Sequence, residues 1–302
     1  MAKVALVKGD DRFTNVLGAL ELAGEEVSEK VRGDILVKVN TVVSGESLAN
    51  TQPDAIRAVL EYLKRFHPRR VRVGEASENP MEIFQSEKYL SLTDQYDFVY
   101  VDFNTLGFDD LELITIESSP LPARISRVHK ECDCLISLSV PKAHSDAVLT
   151  LSGKNMMGFL ESEQMWRVHG IREFGRDEDL VACTRTIHKN LRTLLKIVQP
   201  DIAVLDGFHS FEAGTIPQCA KGDYVEPHIA VAGADFVAVD AVTATVLGYD
   251  PLDIGYLVYA AEDGYGTLDL ERIQIVGTSI EHARFPLKPA PRNETLVKWR
   301  TT

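Results

Sequence analysis

A lysine and a histidine stand two residues apart in Val140-Pro-Lys-Ala-His-Ser-Asp146, directly after an apolar run that begins at Leu135. Lys142 offers a fixed positive charge and His144 a ring that titrates near neutrality, a pairing suited to holding an anion and moving a proton. A polar turn, with Lys142 solvated and His144 capping a helix, accounts for the same residues. Further on, Leu151-Ser-Gly-Lys-Asn-Met-Met-Gly158 superficially suggests a phosphate loop. A Walker A motif would need Gly where Val148 stands, and Ser or Thr where Asn155 stands. What remains is Lys154 and Asn155 in a bend of small residues, suited to a carboxylate or phosphate. The plain alternative is a helix start punctuated by glycine. A third cluster, Asp206-Gly-Phe-His-Ser-Phe-Glu212, sets Asp206, His209 and Glu212 close together. Its oxygens could hold a divalent cation or pair with the lysines, but it lacks the His spacing that marks a zinc site. In Gly233-Ala-Asp-Phe-Val-Ala-Val-Asp240, Asp235 reads as a helix N-cap, with Asp240 inside the helix.

These groups need a frame that brings them together. Apolar, strand-like runs at 3–7, 34–39, 70–74, 98–102, 134–140, 201–205, 229–231 and 272–276 alternate with helical patterns at 14–23, 53–66, 180–198, 236–247 and 254–261. Such alternation predicts an α/β fold with a predominantly parallel, Rossmann-like sheet flanked by helices. Thr51 reads as the N-cap of the helix that runs through Phe66, and residues 112–122 read as a polar excursion followed by a proline-bearing turn. The whole chain reads as one domain over 1–302, with a small sub-lobe at about 145–190. In parallel sheets ligands sit beyond the carboxyl ends of the strands. That rule adds Lys38 and Asn40 at the second strand and Glu75 at the third.

Composition narrows the partners. A formal charge of −13 opposes general nucleic-acid binding and anionic membrane surfaces alike. The sequence has no apolar run long enough for a membrane-spanning helix and no signal-peptide pattern, so the expected location is cytoplasmic. The cysteines Cys132, Cys134, Cys183 and Cys219 form neither zinc-ribbon nor iron–sulfur spacings and read as reduced thiols. Neither a dinucleotide fingerprint nor a nucleophile elbow is present. The expected partner is a small anionic metabolite, and a homo-oligomer is compatible with this composition.

Leu135-Ile-Ser-Leu-Ser-Val-Pro-Lys-Ala-His144 and Leu149-Thr-Leu-Ser-Gly-Lys-Asn-Met-Met-Gly158 resemble the family known as domain of unknown function 362. Val204-Leu-Asp-Gly207 with Glu212, and Ala234–Ala241 with Leu247-Gly-Tyr-Asp250, resemble its later blocks, while Lys38-Val-Asn40 and Gly74-Glu75 fit its amino-terminal part. The resemblance implies that Lys142, His144, Lys154, Asn155, Asp206, Glu212 and Asp240 share one site. It does not imply a reaction. Many family members carry a ferredoxin-type iron–sulfur module, whose cysteines this chain lacks, and Thr215-Ile-Pro-Gln218 departs from the family's usual Gly-Pro.

The function expected from these residues is polar acid/base chemistry (lyase, isomerase or group transfer) on a small carboxylated or phosphorylated metabolite. In that reading Lys142, His144, Asp206 and Glu212 are catalytic, while Lys38, Asn40, Glu75, Lys154, Asn155, His209 and Asp240 contact substrate. Two alternatives stay open: a metal- or cofactor-dependent enzyme and a non-catalytic ligand-binding protein. The Lys/His chemistry is similar to that of nickel-pincer lactate racemases, although their motifs do not align with this chain.

Overall fold

The computed structural model describes residues 1–42, 47–170, 179–213 and 224–300. Its strands are β1 (Ala2–Lys8), β2 (Asp34–Lys38), β3 (Arg70–Glu75), β4 (Val99–Asp102), β5 (Phe108–Ile114), β6 (Pro120–Ser126) and β7 (Cys134–Ser139). The chain continues through β8 (Lys142–His144), β9 (Val148–Thr150), β10 (Ile202–Gly207), β11 (Ser210–Phe211), β12 (Tyr224–Val225), β13 (Ile229–Gly233) and β14 (Ile273–Gly277). Eight of them form the main sheet in the order β14-β1-β13-β10-β7-β2-β3-β4. Within it β13 runs antiparallel to both neighbours, and the remaining pairs are parallel. The fold is thus mixed α/β with a large, mostly parallel sheet. β2, β7, β10 and β13 are buried along their whole length, as central strands covered on both faces must be.

Alternation along each strand decides which side chain meets which layer. Ile35 and Val37 share a core with the helices Arg12–Ala23 and Pro53–Lys64, to which Val16, Leu20, Ile56 and Val59 also belong. Each such side chain fully buried contributes on the order of 1.5–3 kcal/mol. Leu36 belongs to the opposite core, with residues of the hairpin β5–β6 and the helices Leu180–Leu195 and Phe236–Val246. Lys38 follows Leu36 by two residues, so its side chain enters that second layer at the carboxyl end of β2.

The order of strands also creates the crevice. From β2 the chain steps outward to β3 and β4, then returns to β7, which lies on the other side of β2, and continues to β10. Successive connections therefore diverge between β2 and β7, and their loops leave a gap beyond the carboxyl ends.

Two expectations change. Residues 112–122 lie within a β-hairpin, β5–β6, paired from Phe108↔Ser126 to Ile114↔Pro120. Leu111, Leu113, Leu121, Ala123 and Ile125 are buried at alternate positions. Pro120 and Pro122 fit because this two-stranded sheet leaves their outer edge unpaired. Thr51 is not the N-cap of its helix. Gln52 holds that position, and Thr51 Oγ1 instead accepts from Asn40 N (2.8 Å) and donates to Leu138 O (3.0 Å), tying the ends of β2 and β7 together. Among the described residues, no helix is long and apolar enough to cross a membrane.

Candidate functional site

At the crevice between β2 and β7 lies a cavity of about 340 Å³, lined in part by Lys38, Asn40, Glu75, Lys142, His144, Lys154 and Asn155. A buried hydrogen-bonded chain forms its floor. Lys38 Nζ lies 2.6 Å from Glu75 Oε2, 2.6 Å from Val39 O and 3.0 Å from Asn155 Oδ1. Asn155 Oδ1 also accepts from Asn40 Nδ2 (3.3 Å), and Asn40 Oδ1 accepts from Lys142 Nζ, which reaches Ala49 O as well at 3.0 Å. Burial pushes Lys38 down and Glu75 up, each against the pull of the other. The surrounding partners are those of a charged pair. The backbone N–H groups of Ala76 and Thr41 donate to the carboxylate, and two oxygens besides Glu75 accept from the ammonium. A Cβ on Gly158 would overlap both Glu75 Oε1 and Lys38 Nζ, so only glycine lets the backbone cross this pair.

Lys154 differs from the other two lysines. It sits on the short helix Ser152–Asn155, buried, and among the described residues its Nζ meets only the thioether of Met157, at 3.9 Å. Loss of hydration pushes its ammonium down to about 8, with Asp146 opposing the shift and Lys38 adding to it. Asp240 holds this helix in place. Its two oxygens accept from Ser152 N and Gly153 N, both at 2.9 Å, and burial pushes its carboxyl up to about 7.

His144 and His169 stack across the cavity, with centroids 5.9 Å apart and planes 22° from parallel. His144 Nδ1 accepts from the backbone N–H groups of Asp146 (3.0 Å) and Ala147 (3.1 Å). The neutral ring therefore carries its proton on Nε2 and can present a donor to a ligand. Burial, then the nearby Lys154 charge, hold His144 well below its ordinary value, so it stays neutral. His169 Nδ1 lies 3.0 Å from Asp146 Oδ2. Burial opposes ionisation of Asp146, but the His169 hydrogen bond and neighbouring positive charge outweigh it and hold the carboxyl well below the usual range. Asp146 thus fixes the His169 proton on Nδ1 and leaves Nε2 as an acceptor. Between these residues Val148 takes φ 68°, with Leu149 N bonded to Ala147 O at 2.8 Å. A β-branched residue in this region carries roughly 1–3 kcal/mol of strain.

Asp206, His209, Glu212 and Asp240 are not among the residues lining this cavity. Asp206 ends β10 and pairs with Arg12 at 3.0 Å. His209 meets Arg12 through Nδ1 and Glu226 through Nε2 at 3.3 Å. Glu212 accepts the backbone N–H of Lys288 at 2.9 Å. Among the described residues, no group of three or more His, Cys, Asp or Glu side chains is arranged to hold a metal ion. Cys219 and the stretch Thr215–Gln218 lie outside the described residues. Asp146 and His169 were not singled out as site residues from sequence. Asp146 carries a readable signal, two residues after His144. His169 reaches the site through the fold, on the turn Ser162–His169 that Asn190 Nδ2 anchors at Val168 O (3.0 Å).

The family described as "Domain of unknown function (DUF362)" matches residues 35–245. The chain belongs to that family. A curated relative, a thylakoid-associated protein of Synechocystis sp., is 25% identical over 220 residues, covering 72% of this chain and 59% of its own length. Among solved structures, the lactate racemase apoprotein from Thermoanaerobacterium thermosaccharolyticum superposes with a TM-score of 0.51 at 13% identity. That match covers 79% of this chain and 56% of the racemase chain. At such identity the likeness shows a shared fold, not a shared reaction. This chain spans under two thirds of each of the two proteins.

In this DUF362 chain the cavity joins one ammonium that, among the described residues, bonds to no carboxylate, one imidazole donor and one imidazole acceptor. Lys154 and the Nε2–H of His144 can hold a carboxylate or phosphate of a substrate or an organic cofactor. His169 can take or return a proton beside it.

Proposed function

We propose that this protein is an enzyme of polar acid/base chemistry acting on a small anionic metabolite. Lys154 and His144 hold the anionic group and stabilise charge that develops on it, as donors in a water-poor site do. His169, oriented by Asp146, removes a proton next to that group and returns it. Lys38, Glu75, Asn155, Asn40 and Lys142 form the fixed floor that sets the position of the bound anion. The observation that carries this reading is the buried Lys154 ammonium, which lines the cavity and, among the described residues, forms no hydrogen bond or ion pair with a carboxylate. An unpaired buried charge costs several kcal/mol, and an anionic ligand would remove that cost.

Solvent exchange provides the test. Small carboxylic acids that bind the protein are incubated with it in D₂O and followed by NMR. The expected outcome is deuterium incorporation at the carbon next to the carboxylate, abolished by His169→Gln and reduced about 10²–10⁴-fold by Lys154→Met. Binding that depends on Lys154 without any exchange would leave a ligand-binding protein and end the catalytic reading.

A further inference from the structure

The distribution of charge around the cavity restricts which anion it accepts. Lys38 is held by Glu75 at 2.6 Å, and Lys142 by Asn40 Oδ1 and the Ala49 carbonyl. Neither can turn to a ligand without breaking buried bonds. Lys154 is, among the described residues, the lining ammonium that meets no oxygen. The lining's three lysines are balanced by three carboxylates, since Glu78 and Asp146 join Glu75. One negative charge on a ligand answers Lys154. A second would meet Asp146 or Glu78 instead of another open cation, and like charges at short range repel strongly where water is sparse. Beside Lys154 the lining is of another kind. Met157 and Met165 both line the cavity, and thioethers form an apolar, adaptable surface that favours hydrocarbon or aromatic groups.

Resting on the anion-site reading above, we propose that the cavity takes a small monocarboxylate bearing an apolar substituent, with its carboxylate at Lys154 and the substituent against Met157 and Met165. Dicarboxylates and phosphates are discriminated against. The volume of about 340 Å³ is in the range of small-molecule sites.

Isothermal titration of the full chain at neutral pH with acetate, hexanoate, phenylacetate, succinate and inorganic phosphate tests this directly. Hexanoate and phenylacetate are expected to bind at least roughly tenfold tighter than acetate, since each buried methylene contributes about a factor of four. Succinate and phosphate are expected to bind at least about tenfold more weakly than hexanoate. Lys154→Met should weaken hexanoate about tenfold or more, and Lys154→Arg should retain most of the affinity. Met165→Gln should weaken hexanoate by a larger factor than it weakens acetate. Succinate or phosphate matching hexanoate would overturn the monocarboxylate assignment and leave the anion site standing. Binding indifferent to Lys154→Met, or no binding of any of the five probes, would overturn both.

Discussion

Two places on the carboxyl edge of the same sheet gather nearly the same residue types, and they differ in what is left over. At the ends of β1 and β10, Arg12 pairs with Asp206, His209 with Glu226, and His228 Nδ1 lies 3.5 Å from Asp10. Every one of these charged or titratable groups faces an opposite partner. At the divergence of β2 and β7 the Lys38–Glu75 pair is equally closed, but among the described residues Lys154 beside it bonds only to sulfur. A cluster of charges becomes a candidate site where the fold leaves one of them unanswered next to a cavity. Ionisable groups at strand ends are necessary for that and do not suffice.

Substitutions of opposite sign can break this comparison. The largest effect is expected from Arg12→Met, which strands the Asp206 carboxyl that burial already pushes up. Chemical denaturation should show a loss of about 3–5 kcal/mol. A loss below about 1 kcal/mol would mean that the β10 cluster is not closed as described.

Lys154→Met should act in the other direction, raising stability at pH 7 by about 1–3 kcal/mol because it removes a buried charge whose lost hydration outweighs the pull of Asp146. The pH dependence sharpens the contrast. Lys154 falls from 10.5 unfolded to about 8 folded, so between those values the unfolded chain holds more protons. Wild-type stability therefore rises with pH across that window, and the advantage of the variant should shrink from about pH 8 to 10.5. Denaturation midpoints measured at pH 7, 9 and 10.5 check this. A constant gap would place the shifted amine elsewhere. The smallest effect belongs to Glu212→Ala, which removes an acceptor from Lys288 N for about 0.5–1.5 kcal/mol. A cost of 3 kcal/mol or more would show that Glu212 is as deeply engaged as Asp206.

Much of the frame was legible from local pattern. The apolar runs at 34–39, 134–140 and 229–231 became fully buried strands, and Asp235 accepts from Ala238 N at 2.9 Å as an N-cap. The hairpin β5–β6 was not read, because its buried face shows only through alternation within a polar, proline-bearing stretch. Lys38, Asn40, Glu75, Lys142, His144, Lys154 and Asn155 converge because each follows or ends a strand near the divergence of β2 and β7. The same rule drew in Asp206 and Glu212, because it sees strand ends but not neighbours. Asp240 shows a further limit. In sequence it is one more acid, and in the fold it accepts from Gly153 N, 87 residues away, and so holds the helix that carries Lys154.

The sequence by itself determined a parallel α/β frame and a supply of ammonium, imidazole and carboxylate groups at its strand ends, because periodicity and strand polarity are local properties of the chain. Only the tertiary structure decided which of these groups neutralise one another. Arg12 meets Asp206 across 194 residues and Lys38 meets Asn155 across 117, and no local pattern encodes such meetings. Whether a buried charge is answered depends on packing between distant segments, and that is what separates Lys154 from the other lysines of the cavity.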